Sequence, residues 1–339
     1  MMTQKVQKAQ KAMIALLQQQ SSFNLVSHVQ PDGDSIGSLL ALGEALEKMG
    51  KTVRLFMAAT VPRKYAFLKG SEKIFASGEK WNEAAAAVVL DCSDLERTGD
   101  FKDAVARTRV ILNIDHHVTN CYFGTANLVD PEAAATGEII FRLLEAMHLP
   151  LSASMAEALY VALSTDTGSF KFENTTAATH RTAAALLAAH DLNPGILSDQ
   201  LFNLRPLPFY LLLKKVLGTL ELYGGQKLAV ITASREMLEQ SGAAMEDLDG
   251  MINYTRNIEG VEIGIMFFLD SAAGIKVGFR SKSVDVSALA RELGGGGHAR
   301  AAGCRIKGPY DRVRDMVIRK ALLAISDETA PGGKQMPER

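Results

Sequence analysis

Four short segments of the chain hold the side chains that do acid, base and metal chemistry. His28-Val-Gln-Pro-Asp32-Gly-Asp34 sets one imidazole and two carboxylates on a tight turn. Asp91 ends the run Val-Val-Leu-Asp, Asp115-His116-His117 ends Leu-Asn-Ile-Asp-His-His, and Asp166 stands in Leu-Ser-Thr-Asp-Thr-Gly. Singly, each has an ordinary explanation: Pro-Asp-Gly is turn chemistry, Asp91 or Asp166 can cap or end an element, and a lone His116 is more often hydrogen-bonded than metal-bound. Jointly they have another, because carboxylates gathered in one place repel one another unless cations neutralise them. Oxygen ligands with a minority of imidazoles and no thiolate suit a divalent ion such as manganese or magnesium. Structural zinc would ask for more Cys or His. Four Asp and two His suffice for two ions if one carboxylate bridges. A pair about 3.5–4 Å apart clamps a phosphoryl oxygen and activates a shared water for in-line attack.

The elements that must bring these segments together are legible from period and punctuation. Residues 5–19 have helical spacing, and Phe23–Val29 reads as a buried strand ending at the Pro-Asp-Gly turn. From Ser35 the period changes: Ile36, Leu39, Leu40, Leu46 and Met49 share a helical face closed by Gly50. Thr52–Met57, Ala87–Leu90 and Val110–Ile114 follow as strands, and Thr136–His148, Ser154–Leu163 and Thr176–His190 as helices. Strands alternating with helices imply a doubly wound, mainly parallel α/β sheet covered on both faces. Ligands of such sheets sit beyond the carboxyl ends of the strands, where the four segments fall.

Around residues 191–210 three prolines interrupt this rhythm, which places a domain connection there. A smaller α/β domain follows, with strands at Leu228–Thr232, Val261–Leu269 and Ile275–Phe279 and a helix through Val286, Leu289, Ala290 and Leu293 closed by Gly294. The last two strands suggest a hairpin across Asp270–Gly274. The expected organisation is a catalytic domain over 1–190, a linker over 191–212, a second domain over 213–326 and a flexible tail over 327–339.

Composition bounds the function. A length of 339 residues is a prior for two domains. The chain is 47% hydrophobic and 22% charged, an ordinary globular balance. Lys and Arg number 37 against 38 Asp and Glu, a net charge of -1, which argues against gripping long nucleic acid by bulk electrostatics. Three widely spaced cysteines (Cys92, Cys121, Cys304) imply no disulfide framework. The N-terminus does not read as a signal peptide, and no run of about 18 apolar residues occurs. A cytoplasmic protein without membrane contact is expected.

A glycine run near the C-terminus adds an anion site. Gly294-Gly-Gly-Gly-His298-Ala-Arg300-Ala-Ala-Gly303 follows the last helix. Composition alone would make it a flexible link, yet successive small residues also let backbone N–H groups converge on an anion. Together with Gly278-Phe-Arg280-Ser-Lys282, Arg280 being able to grip phosphate with two parallel hydrogen bonds, the run reads as a pocket for a terminal phosphate or nucleotide. Its expected members are Arg280, Gly296, Gly297, His298 and Arg300. Lys282 is the weaker candidate.

These motifs resemble those of the DHH phosphoesterase superfamily, whose name the third segment spells, and the C-terminal segments resemble its DHHA1 domain. The resemblance spans about residues 20–325, is closest to the NrnA-like bifunctional oligoribonucleases and 3′-phosphoadenosine 5′-phosphate (pAp) phosphatases, and shows no departure from the metal-ligand pattern. It implies an active site in the cleft between the domains. One metal is implied on His28, Asp32 and Asp91 and another on Asp34, Asp91, His116 and Asp166. The implied pair is Mn2+, with Mg2+ or Co2+ as substitutes. His117 is implied to lie beside the substrate phosphate and to donate a proton or hydrogen bond to the leaving side, with Asp115 orienting the loop. The implied function is hydrolysis of very short oligoribonucleotides and dinucleotides to mononucleotides and dephosphorylation of pAp, without long duplex partners; a homodimer is compatible. The alternatives are cyclic dinucleotide hydrolysis, RecJ-like single-strand exonuclease action, pyrophosphatase action, and a catalytically inactive nucleotide-binding protein. The neutral charge weighs against the exonuclease. The pyrophosphatase reading wants a different basic signature in the C-terminal domain. Retention of all six metal-ligand types weighs against an inactive protein.

Overall fold

The computed structural model describes residues 3–270 and 274–329, the last three of these by backbone alone. It forms two compact units that divide between Leu204 and Arg205. In the first, α1 (Gln4–Gln19) leads into β1 (Ser22–Ser27), α2 (Gly33–Lys48), β2 (Thr52–Met57), β3 (Ile74–Phe75), β4 (Ala86–Leu90), α3 (Lys102–Arg107), β5 (Ile111–Asp115) and β6 (Ala126–Val129). Helices α4 (Thr136–Ala146), α5 (Ala153–Asp166), α6 (Ala177–His190) and α7 (Pro194–Ser198) complete it.

All six strands are parallel, in the order β3-β2-β1-β4-β5-β6. Alternation of side chains splits the interior into two cores. Phe23, Leu25, Val88, Leu90, Leu112 and Ile114 pack with α2, α4 and α5 on one face. Val26, Ala87, Val89 and Ile111 pack with Phe56, Phe101 and Val105 on the other. Strand order reverses between β1 and β4, so successive connections leave that point in opposite directions and open a crevice at the carboxyl edge. Two glycines let α2 lie against α5. A Cβ at Gly37 would come 2.2 Å from the Ala158 carbonyl oxygen, and one at Gly33 would come 2.3 Å from Thr165 Oγ1. That close approach carries the start of α2 to the end of α5.

The second unit holds α8 (Leu207–Leu217), β7 (Glu221–Tyr223), β8 (Leu228–Ser234), α9 (Arg235–Ser241), α10 (Asn253–Arg256), β9 (Ile263–Asp270), β10 (Gly274–Ser281), α11 (Val286–Glu292), β11 (Gly296–His298), β12 (Ala301–Ile306) and α12 (Tyr310–Thr329). Its sheet runs β11-β12-β10-β9-β8-β7, with β8 and β9 parallel and the other pairs antiparallel. One face is filled along its length by Phe267, Val277, Phe279 and Cys304 packed with α11 and α12. The other is covered over β8 and β9 by α8 and α9, through Phe209, Leu212, Ile231, Leu238 and Phe268, and over β9 and β10 by Ile252 and Thr255, which lie above Gly278 and Gly264.

Two expectations change, and a third, the hairpin, is met. Residues 191–212 are not an open linker but hold α7, a π-helical turn at Asp199–Asn203 and the start of α8. Their prolines start helices: Pro194 follows the N-cap Asn193, and Pro206 and Pro208 flank the first residue of α8. Of the tail expected over 327–339, residues 327–329 belong to α12, and residues 330–339 lie outside the described ones. The hairpin strands β9 and β10 pair with Asp270 opposite Gly274, and residues 271–273 between them are outside the description. Among the described residues no helix is long and apolar enough to cross a membrane.

Candidate metal centre and anion-binding face

The strand ends at the reversal point carry the acidic segments. His28 follows β1 and Asp91 follows β4, the two strands between which the order turns. Asp115 ends β5, with His116 and His117 next, and Asp166 ends α5. Asp32 caps α2: its Oδ1 accepts from Ser35 N at 2.9 Å while Ser35 Oγ accepts from Asp32 N. This leaves Oδ2 facing His28. Asp34, in the first turn, reaches across to the start of α4, accepting from Thr136 N at 2.7 Å and Gly137 N at 2.8 Å. A carboxylate there meets unpaired N–H groups and the positive end of the helix.

Two triads result. His28, Asp32 and Asp91 converge, and so do Asp34, His116 and Asp166. Asp91 faces both, its Oδ2 3.1 Å from His28 Nε2 and its Oδ1 3.6 Å from His116 Nε2. His116 Nε2 also lies 3.8 Å from Asp34 Oδ2 and 3.5 Å from Asp166 Oδ2. The His28–Asp91 contact is a hydrogen-bond distance, whereas the three His116 separations are long for hydrogen bonds and natural for atoms sharing one cation. Asp91, His116 and His117 form a third grouping.

The electrostatics favour a cation. Asp34 and Asp91 are buried, and among the described residues no Lys or Arg pairs with Asp32, Asp34, Asp91 or Asp166. Burial, then the charge of Asp166, raises Asp34 to about 7. Burial followed by Asp34 and Asp32 holds Asp91 well above the usual carboxylate range. Burial also lifts Asp166 to about 6, against the pull of His116. Burial lowers His28 to about 4, which keeps its ring neutral with a lone pair to offer; its Nδ1 is buried without a hydrogen-bond partner. For His116 burial is outweighed by Asp34 and Asp166, which raise it, and its Nδ1 lies 3.3 Å from the Ala133 carbonyl oxygen. That contact turns Nε2 toward the carboxylates. The donor set therefore fits divalent cations.

His117 and Asp115 form a separate pair. Asp115 Oδ1 lies 2.7 Å from His117 Nδ1, and Asn120 Nδ2 donates to Asp115 Oδ2 at 2.6 Å. Burial pushes Asp115 up, but these hydrogen bonds and the His117 charge outweigh it and leave the carboxyl below its usual range. Sequence reading missed two residues here. Thr136 Oγ1 donates to Asp91 Oδ1 at 3.1 Å, and Asn120 ties Asp115 to the Cys92 carbonyl oxygen and Asn113. A hydroxyl at the first position of α4 was the available signal for Thr136. Asn120 left none, since its partners come from other strand ends.

In the second unit, the glycine run is a strand and not a loop. Gly296–His298 pairs with β12, and Gly295 and Gly297 are glycines for close approach: their Cβ atoms would come 2.1 Å from Gly303 O and 2.6 Å from Ala301 O. Arg280 and His298 both pair with Ala301, from opposite sides, so they share a face. Gly278, Gly303 and Gly296 make the next row of that face. Arg280 is half-buried and Arg300 and Lys282 are exposed. Lys282 Nζ donates to the Ile258 carbonyl oxygen at 3.2 Å. Gly297 belongs to the opposite face. Arg256 was overlooked in the sequence. Its backbone N sits 3.1 Å from where a Cβ of Gly264 would be, and Gly264 pairs with Arg280. Burial, then the Arg256 charge, lowers Arg280, and among the described residues neither arginine has an ion pair.

Comparison with known proteins identifies both units. The sequence pattern of the DHH family, N-terminal domain, matches residues 22–163, and that of the DHHA1 domain matches residues 225–325. The chain is 35% identical over 299 residues to the bifunctional oligoribonuclease and PAP phosphatase NrnA of Thermus thermophilus, covering 86% of this chain and 88% of that protein. It is 28% identical to the Bacillus subtilis protein of the same name, over 82% and 87% of the two chains. An exopolyphosphatase-related protein from Bacteroides fragilis superposes with a TM-score of 0.86 at 25% identity, over 95% and 96% of the two chains.

Proposed function

Because the chain belongs to the DHH family and carries its DHHA1 domain, we propose that it is a metal-dependent hydrolase of very short oligoribonucleotides and dinucleotides that also dephosphorylates pAp. The observation that carries this reading is the pair of triads at the reversal of strand order, with Asp91 a member of one and its Oδ1 3.6 Å from His116 Nε2 of the other. In the proposal one cation is held by His28, Asp32 and Asp91 and a second by Asp34, Asp91, His116 and Asp166, with Mn2+ the expected ion and Mg2+ or Co2+ as substitutes. Divalent cations bound there would polarise a phosphoryl oxygen and lower the pKa of an attacking water.

The chain's own residues do the rest. Asp34 uses the start of α4 to hold its carboxylate fixed, and Thr136 does the same for Asp91. Asp115 accepts from His117 Nδ1, which leaves Nε2 free to carry a proton to the departing oxygen. Arg280 and His298, on the strand face that leaves Gly296 without a neighbour over it, hold a further substrate phosphate. A bounded set of contacts favours short substrates over long ones.

The test is turnover by metal-stripped protein resupplied with manganese, against pAp, linear dinucleotides, cyclic dinucleotides and single strands of increasing length. Release of phosphate from pAp, with rates per end falling beyond a few nucleotides, is expected. Degradation of long strands as fast as dimers would overturn the short-substrate reading in favour of an exonuclease.

A further inference from the structure

The loop that leaves the metal centre after Asp166 is built to present one aromatic ring. Gly168, Ser169 and Phe170 take successive left-handed conformations, with φ of 56°, 62° and 61°. For Ser169 and Phe170 this conformation is unfavourable. The backbone is pinned at each turn: Ser169 N donates to Ser164 O at 2.7 Å, Phe170 N to Thr167 Oγ1 at 3.0 Å and Phe172 N to Thr167 O at 3.0 Å. Asn174 Nδ2 closes the loop on the site, donating to the carbonyl oxygens of Asp166 at 3.1 Å and Ala134 at 3.0 Å. The carbonyl before that one, on Ala133, is the neighbour of His116 Nδ1.

The two phenylalanines of the loop have opposite fates. Phe170 turns inward, its centroid 6.0 Å from that of Tyr160 and 5.4 Å from that of His180. Phe172 turns outward and is 52% exposed. The tip of its ring rests on Gly168, where a Cβ would strike Cζ at 2.3 Å. Glycine at that position thus seats the ring as well as relaxing the turn. A large apolar group held in water by a strained, pinned loop is unfavourable until something covers it.

We propose that Phe172 is a stacking platform for a nucleobase of the substrate whose phosphate sits at the acidic centre. This rests on the function proposed above. A ring face accepts any base, because every base has a π-face, and a fixed loop spends little entropy in receiving it. The platform is accordingly sequence-tolerant, with purines favoured over pyrimidines by their larger stacking surface.

The test is binding of AMP and of ribose 5-phosphate, the same molecule without its base, measured by calorimetry in manganese. Wild type should prefer AMP, and Phe172→Ala should bring the ratio of the two affinities toward one, a loss on the order of tenfold for AMP. Phe172→Trp should keep the preference. Phe172→Leu, apolar but without a π-face, should not. A preference that survives in Phe172→Ala, or is restored by Phe172→Leu, overturns the platform. Turnover of pAp and a dinucleotide by the same wild-type preparation separates the two readings. Absent turnover with a collapsing ratio removes the activity and keeps the platform, whereas normal turnover with an unaffected ratio does the reverse.

Discussion

The acidic centre of the first unit and the arginine face of the second are opposites in construction. The centre encloses its charge: Asp34 and Asp91 are buried, fixed by the start of α4, and short of positive partners. The face leaves its charge unpaired: Arg280 and Arg256, both half-buried, stand beside rows of glycine and alanine without a carboxylate ion pair among the described residues. The proposed ligands for a cation must be held rigidly, and they stand at strand and helix ends where hydrogen bonds tie them. A surface for an anionic substrate, as proposed for this face, needs room, and Gly264, Gly278, Gly296 and Gly303 keep the strands beside Arg280 and His298 short of side chains. One region is organised by what surrounds each group and the other by what has been removed.

The sharpest way to break this contrast is Asp91→Asn. It weakens both proposed cation sites together, and activity should fall by several orders of magnitude, while far-ultraviolet circular dichroism stays that of the parent. Near-normal turnover in manganese would show that Asp91 is not shared. On the other side of the comparison, Arg280→Ala should cost about 1.5–3 kcal/mol of transition-state stabilisation on a dinucleotide, read from kcat/KM. It should cost far less on bis-p-nitrophenyl phosphate, and bound manganese should be retained. Arg280→Lys should recover part of the loss, since an ammonium lacks the planar fork. Equal losses on both substrates would make Arg280 a support of the fold.

Smaller still is Thr136→Val, which removes one donor from Asp91 and should reduce kcat by about 1 kcal/mol equivalent, with KM little changed. The weakest signal is thermal. In the metal-free protein Asp34, raised to about 7, and Asp166, raised to about 6, keep protons that the unfolded chain releases near 3.8. The folded state then binds more protons than the unfolded one, so this cluster's contribution to stability declines as pH rises from about 4 toward 7. His28, lowered to about 4 by burial, works the other way. Manganese must displace the carboxyl protons, so the rise in Tm that it produces should be larger at pH 7.5 than at pH 5.5. An equal rise at both would place the ion elsewhere.

The first unit was the more legible one because each acidic segment sits where the residue period changes, and such changes mark strand and helix ends. The core strands β1, β2, β4 and β5 read correctly for the same reason. Strands β3 and β6 did not, being two and four residues long and short of a full alternation. In the second unit β11 was hidden by its composition. Glycine has little strand preference, and only the pairing with β12 makes Gly296 and Gly297 extended. The link between Thr136 and Asp91 spans 45 residues and leaves no local trace. The shared face of Arg280 and His298 depends on register with Ala301, which spacing alone does not specify.

Asp91 takes a left-handed backbone conformation, φ 58°, uncommon outside glycine, asparagine and aspartate. The consequence concerns how this protein would evolve under heat. Asparagine tolerates that conformation and brings no buried charge, and glycine relaxes it altogether, so both replacements should toughen the resting fold while abolishing the proposed chemistry. A selection for thermal endurance alone would drift toward inert protein at this position. The same substitution offers the experimenter a robust, silent variant in which substrates can linger uncut.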